Sequence, residues 1–186
     1  MSKTLIHLTT PLHLKELELL RTGDSVLLSG IIYTGRDAAH LRFHEDLSQG
    51  KSLPFDPAGQ VIYYVGPTPA KPGEVIGSCG PTTASRMDPY TPLLIERGLR
   101  GMIGKGNRSQ EVKKAMLEYG CVYFGSIEGT AALIGRTVTH AEVIAYEDLG
   151  AEAVYRFTVQ EMPLLVVNDL HGGDLYLEGQ KKYRRI

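Results

Sequence analysis

A chain of 186 residues, 42% hydrophobic and 22% charged, is long enough to bury one sizeable core and too short for two comfortable domains. Its net charge of -1 gives no electrostatic footprint for nucleic acid or an acidic membrane surface, so neither partner is expected. No apolar run approaches the roughly 18 residues that span a bilayer. Residues 1–7 lack the apolar core of a signal peptide, and two cysteines, Cys79 and Cys121, make no disulfide framework, so the expected compartment is the cytoplasm.

Residues 5–8 read as a short strand, which Thr10-Pro11 breaks before one or two helical turns over 12–17. A turn at 21–24 leads into 25–33, a strand whose near-continuous apolarity predicts burial on both faces. Gly35-Arg36-Asp37 closes it and a helix follows over 38–47, so Arg36 stands where strand end meets helix start. Ligands bind at that address in many α/β proteins, and a solvated helix-start arginine is the plainer reading. His40 and His44 share one face of the helix, but no third ligand is spaced to join them, and surface or packing roles are expected.

A Pro- and Gly-punctuated loop over 50–59 precedes a strand at 61–66, and Pro67, Pro69 and Pro72 stiffen the next connection. It ends in Gly80-Pro81-Thr82-Thr83-Ala84-Ser85-Arg86-Met87-Asp88, which gathers backbone freedom, hydroxyls, a guanidinium and a carboxylate. A helix over 90–98 would aim N–H groups back at this stretch, and Arg86 presents a planar fork that fits a carboxylate or phosphate. An N-cap loop with a surface arginine is the alternative.

A short buried strand follows at 101–106, ending in Gly104-Lys105-Gly106. This is no P-loop: Leu99 stands where that motif needs its first glycine, and Gly106 where it needs Ser or Thr. Lys105 either points a cation into a cleft or is a solvated loop lysine. Asn107-Arg108-Ser109 matches a glycosylation pattern but reads better as a helix cap. A helix over 109–119 puts Val112, Ala115, Met116 and Tyr119 on one face, then come a strand at 121–125 and a short helix at 128–135. Strands at 141–146, 153–159 and 164–167 complete a β-rich second half. His140-Ala141-Glu142 lacks the paired cysteines of a zinc deaminase. Residues 1–170 are expected to form one domain and 171–186 a polar extension ending in a solvated basic tail.

Four ordered stretches carry a family likeness: 35–40, 80–88, 104–106 and 141–150. With them in view, the chain resembles the class I, iron-sulfur fumarate hydratase and L-tartrate dehydratase family, specifically its β subunit or C-terminal domain. Ala84-Ser85 departs from the Ser-Gly pair common in that family. The resemblance implies an α/β fold, a swivelling β/β/α three-layer domain with a mixed sheet. It also implies a hydro-lyase that converts fumarate to L-malate, with tartrate dehydration as the alternative. By the same likeness Arg36, Arg86 and Lys105 would bind the carboxylates of a four-carbon diacid. Thr82 would contact the substrate beside the reacting carbons, and Asp37 is a second acid/base candidate whose simpler role is at a helix start. The implied cofactor is a [4Fe-4S] cluster held by a separate α subunit, giving a hetero-oligomer with no metal ligand in this chain. The residues support that division independently, because a cluster needs several cysteine thiolates and this chain has two without ferredoxin spacing, so another chain must bring most of its ligands. From another class, a stand-alone dicarboxylate-binding module would use the same cations without chemistry.

Overall fold

The computed structural model describes residues 5–126 and 131–184. Four crossovers make its first five strands parallel: β1 (Ile6–Thr9), β2 (Ser25–Thr34), β3 (Val61–Tyr63), β4 (Gly101–Gly104) and β5 (Val122–Gly125). Helices α1 (Leu14–Leu17), α2 (Asp37–Ser48), α3 (Thr91–Glu96) and α4 (Gln110–Tyr119) lie in the connections between them, as parallel pairing requires. After α5 (Ala131–Thr137) come β6 (Val138–Ala145), β7 (Val154–Asn168) and α6 (Leu175–Tyr183). β7 runs antiparallel to β2, β5 and β6. The strand order is β1-β2-β3-β4-β5-β7-β6, and the extra β2–β7 pairing joins the sheet back on itself.

Alternation along the strands feeds two apolar cores. In β3, Val61 and Tyr63 enter one with Leu28, Ile103, Phe124 and Phe157. Ile62 and the following Tyr64 enter the other, with Phe43 of α2, Leu94 of α3 and Met116 of α4. Each buried large side chain contributes about 1.5–3 kcal/mol relative to exposure, so the mixed α/β architecture is held from both faces of its central strands.

Three expectations change. Only alternate side chains of β2 are fully buried (Val26, Leu28, Ile32 and Thr34), while Ile31 is exposed. The helix-side core takes in Tyr33, stacked on Phe55 at 4.0 Å, but no other outward side chain of that strand. The strands expected at 153–159 and 164–167 are one strand, because β2 pairs along both halves of β7 and carries it through Glu161 (φ 50°) and Pro163. Tyr119 is exposed, so the buried face of α4 consists of Val112, Ala115 and Met116. Ser109 caps α4, its Oγ accepting the Val112 N–H at 3.3 Å. Residues 128–130 of the helix expected at 128–135 lie outside the described residues.

Candidate active site

Parallel strands end at one edge of a sheet, and every residue singled out for chemistry lies in a connection leaving that edge. Arg36 and Asp37 follow β2, Thr82 and Arg86 lie beyond β3, and Lys105 follows β4. Backbone pairing joins two of these connections: Lys105 N–H donates to Thr82 O at 3.2 Å, and Ala84 N–H donates to Lys105 O at 2.8 Å. Thr83 and Lys105 therefore form a short parallel bridge. A 3-10 turn, Ala84–Met87, then carries Arg86 toward the start of α2.

There Arg86 Nη2 donates to Asp37 Oδ2 at 2.6 Å. Arg36 Nε stands 4.0 Å from Asp37 Oδ1, and Arg36 Nη2 lies 3.2 Å from Glu152 Oε1. The other oxygen of Glu152 accepts the Ala38 N–H at 3.4 Å, in the first turn of α2, where a carboxylate is favoured. Arg36 also lies across Gly66, where a methyl group would come within 2.9 Å of its Nη1. The result is a chain of alternating charges, Arg86–Asp37–Arg36–Glu152, beside the Thr82–Lys105 pairing.

Several of the N–H groups at 80–88 are taken up by backbone carbonyls. The N–H groups of Thr82, Ala84 and Arg86 donate to Tyr64 O, Lys105 O and Thr83 O, and α3 starts only at Thr91. Of these three donors, that of Ala84 goes to the loop after β4.

Three residues that sequence reasoning passed over complete the surroundings. Glu152 is 114 residues from its partner Ala38, and no local pattern links them. Arg108, read only within a cap motif, is buried: its Nη2 sits 2.8 Å from Asp88 Oδ1 and donates to Thr91 Oγ1 at 2.8 Å. Its guanidinium carbon lies 5.1 Å from the Tyr64 ring centroid and 5.4 Å from that of Tyr123. Asp88 Oδ2 also accepts the Ser109 N–H at 2.7 Å, so this buried pair ties the 80–88 stretch to the start of α4. Third, Tyr176 of α6 reaches the Lys105 loop, its hydroxyl accepting the Gly106 N–H at 3.0 Å.

His40 is fully buried, and burial pulls its pKa down to about 4. A neutral ring explains its contacts: Nδ1 bonds Arg36 O at 2.9 Å, and Nε2 has no hydrogen-bond partner. His44 instead lies against the Tyr90 ring at 5.9 Å.

The family model described as Fumarase C-terminus matches residues 2–179. The chain belongs to that family. Among relatives of this Fumarase C-terminus chain is the anaerobic class I fumarate hydratase of Escherichia coli K12, 42% identical over 151 residues, which cover 80% of this chain and 28% of that protein. Mitochondrial fumarate hydratase 1 of Leishmania major is 41% identical over 165 residues, covering 88% and 30%. A Methanocaldococcus jannaschii protein provisionally named L(+)-tartrate dehydratase subunit beta is 37% identical over 174 residues, covering 90% and 89%. The chain thus spans under a third of those fumarate hydratases and most of the tartrate dehydratase subunit.

The residues present do not fit a [4Fe-4S] cluster. Cys79 lies in one apolar core and Cys121 in the other. Burial pushes each thiol up to about 12, and two cysteines in separate cores do not converge on one cluster. Among the described residues, no group of three or more His, Cys, Asp and Glu side chains could hold a metal ion.

Proposed function

We propose that this chain is the β subunit of a hydro-lyase for a four-carbon dicarboxylate, with reversible hydration of fumarate to L-malate as its reaction. The observation that carries this reading is the arrival of Arg36, Arg86 and Lys105 at one strand edge in a member of the Fumarase C-terminus family. The names of the fumarate hydratases above support the substrate.

On this reading the chain's own residues bind and orient. Asp37 fills one arm of the Arg86 fork and Glu152 one arm of Arg36. A substrate carboxylate takes Asp37's place on Arg86, where the planar fork can hold it at two points. Lys105 neutralises the second carboxylate, since a dianion leaving water needs paired charge. Thr82 contacts the substrate beside the reacting carbons, and Asp37, released from Arg86, becomes available to carry the proton. The [4Fe-4S] cluster is assigned to an α subunit, so the working enzyme is a hetero-oligomer.

Tartrate dehydration is the second reading, favoured by the match over 89% of the tartrate dehydratase subunit. That match also supports a separate α partner. Anaerobic assays of this chain alone, and then with a cluster-bearing α subunit, on fumarate and on L-tartrate test both readings. Activity is expected in the mixture only, and faster with fumarate. Preference for tartrate transfers the assignment to the second reading. Silence with an intact cluster, together with tight iron-independent dicarboxylate binding by the chain alone, replaces both with a binding module.

A further inference from the structure

Lys105 sits in a loop whose shape is fixed at Gly106, where φ is 79°, a left-handed conformation that glycine adopts without strain. The peptide groups of Gly106 are held from two sides. Tyr123 of β5, whose phenol burial keeps protonated, donates its hydroxyl to Gly106 O at 3.1 Å. Tyr176 of α6 accepts the Gly106 N–H at 3.0 Å. The first contact comes from the core of the sheet and the second from beyond its last strand.

Helix α6 is itself anchored. Asp174 Oδ1 accepts the N–H groups of Tyr176 and Leu177 at 3.0 and 3.1 Å, and its Oδ2 accepts Lys113 Nζ of α4 at 2.6 Å. Between this helix and the strand ends lies a cavity of about 520 Å³, whose lining includes Thr83, Lys105, Gly106, Ser126, Leu175 and Tyr176. The helix therefore forms one wall of the space beside Lys105, and the Tyr176 hydroxyl is its polar contact to the lysine's own loop.

We infer that Tyr176 is a positioning residue for Lys105, acting through the Gly106 peptide, and that α6 belongs to the dicarboxylate site. The kinetic part of the test rests on the hydro-lyase reading above, and the hydrogen-exchange part does not. Tyr176→Phe keeps the ring and removes only the acceptor. In the full chain, the Gly106 amide is expected to exchange at least about tenfold faster in this variant, with the core amides unchanged. In the complex with the α subunit, KM for the preferred diacid is expected to rise about three- to tenfold with kcat within about twofold, the signature of lost substrate positioning. Added to Lys105→Met, Tyr176→Phe is expected to cost nothing further, because the two act as one unit.

An unchanged Gly106 amide overturns the inference, as does an unchanged KM or a double variant whose losses multiply. A wild-type complex inactive on both fumarate and L-tartrate is a failure of the hydro-lyase reading instead. The exchange result then decides for Tyr176: acceleration confined to residues 104–106 keeps the positioning role, and its absence ends it.

Discussion

Arg86 is the side chain on which the site turns, because one arm of its fork donates to Asp37. Arg86→Lys replaces a planar bidentate donor with a point charge, and kcat/KM in the complex is expected to fall at least about tenfold, a bond to a charged group being worth about 1.5–3 kcal/mol. Unchanged kinetics would remove Arg86 from the site. Glu152 works one step back, holding Arg36 against α2. Glu152→Ala frees that guanidinium to leave its place over Gly66, so KM is expected to rise about three- to tenfold with kcat little changed. A loss confined to kcat would give Glu152 a different role. The placing of Arg36 and Lys105 at strand ends was legible in the sequence, because charge beside glycine is a local signal, whereas the role given to Thr82 came from the family resemblance alone. Glu152 and Tyr176 were not legible, since each meets its partner only through the fold. Arg108 was hidden for the opposite reason: a cation in a loop reads as solvated, and nothing local says that two tyrosine rings will cover it.

At the scale of elements, α2 carries its own pH dependence. His40 packs its ring against Phe43 and Tyr64, with centroids 5.4 Å away in each case. Burial above all, and nearby Arg108 less, lower its pKa while the Arg36 carbonyl and Asp37 act upward, a net fall from 6.5 to about 4. Between those values the unfolded chain binds a proton that the folded chain refuses. Stability is therefore complete above about pH 6.5 and is lost as pH falls toward 4, by on the order of 3 kcal/mol. Urea melts at pH 7 and pH 5 should show the loss in the wild type and a much smaller one in His40→Gln; equal losses would clear His40 of the effect. Burial raises and backbone N–H groups lower the Asp169 carboxyl, with a net fall, so its stabilisation disappears only at still lower pH. Most elements were legible from period and punctuation: α2, α4 and the parallel strands stand within a few residues of expectation. β7 was not, because Glu161 and Pro163 look like a break, and only pairing with β2 along both halves makes them a bend within one strand.

At the scale of the molecule, the two cysteines lie in different cores, with burial raising both thiols. Cys79→Ser is expected to leave the cluster absorbance of the assembled enzyme intact; loss of that absorbance would return a ligand to this chain. The mixed α/β class followed from the alternation of strand and helix patterns, whereas the strand order did not, since nothing local says that a strand near residue 160 returns to β2. That return has a consequence for synthesis. Thr34 and Tyr155, bonded between β2 and β7, are 121 residues apart. A ribosome delivers the chain in order, so β2 and β5 wait with open edges until β7 emerges, and such edges recruit other chains. The growing polypeptide is therefore most in need of a chaperone in the interval just before its seventh strand arrives.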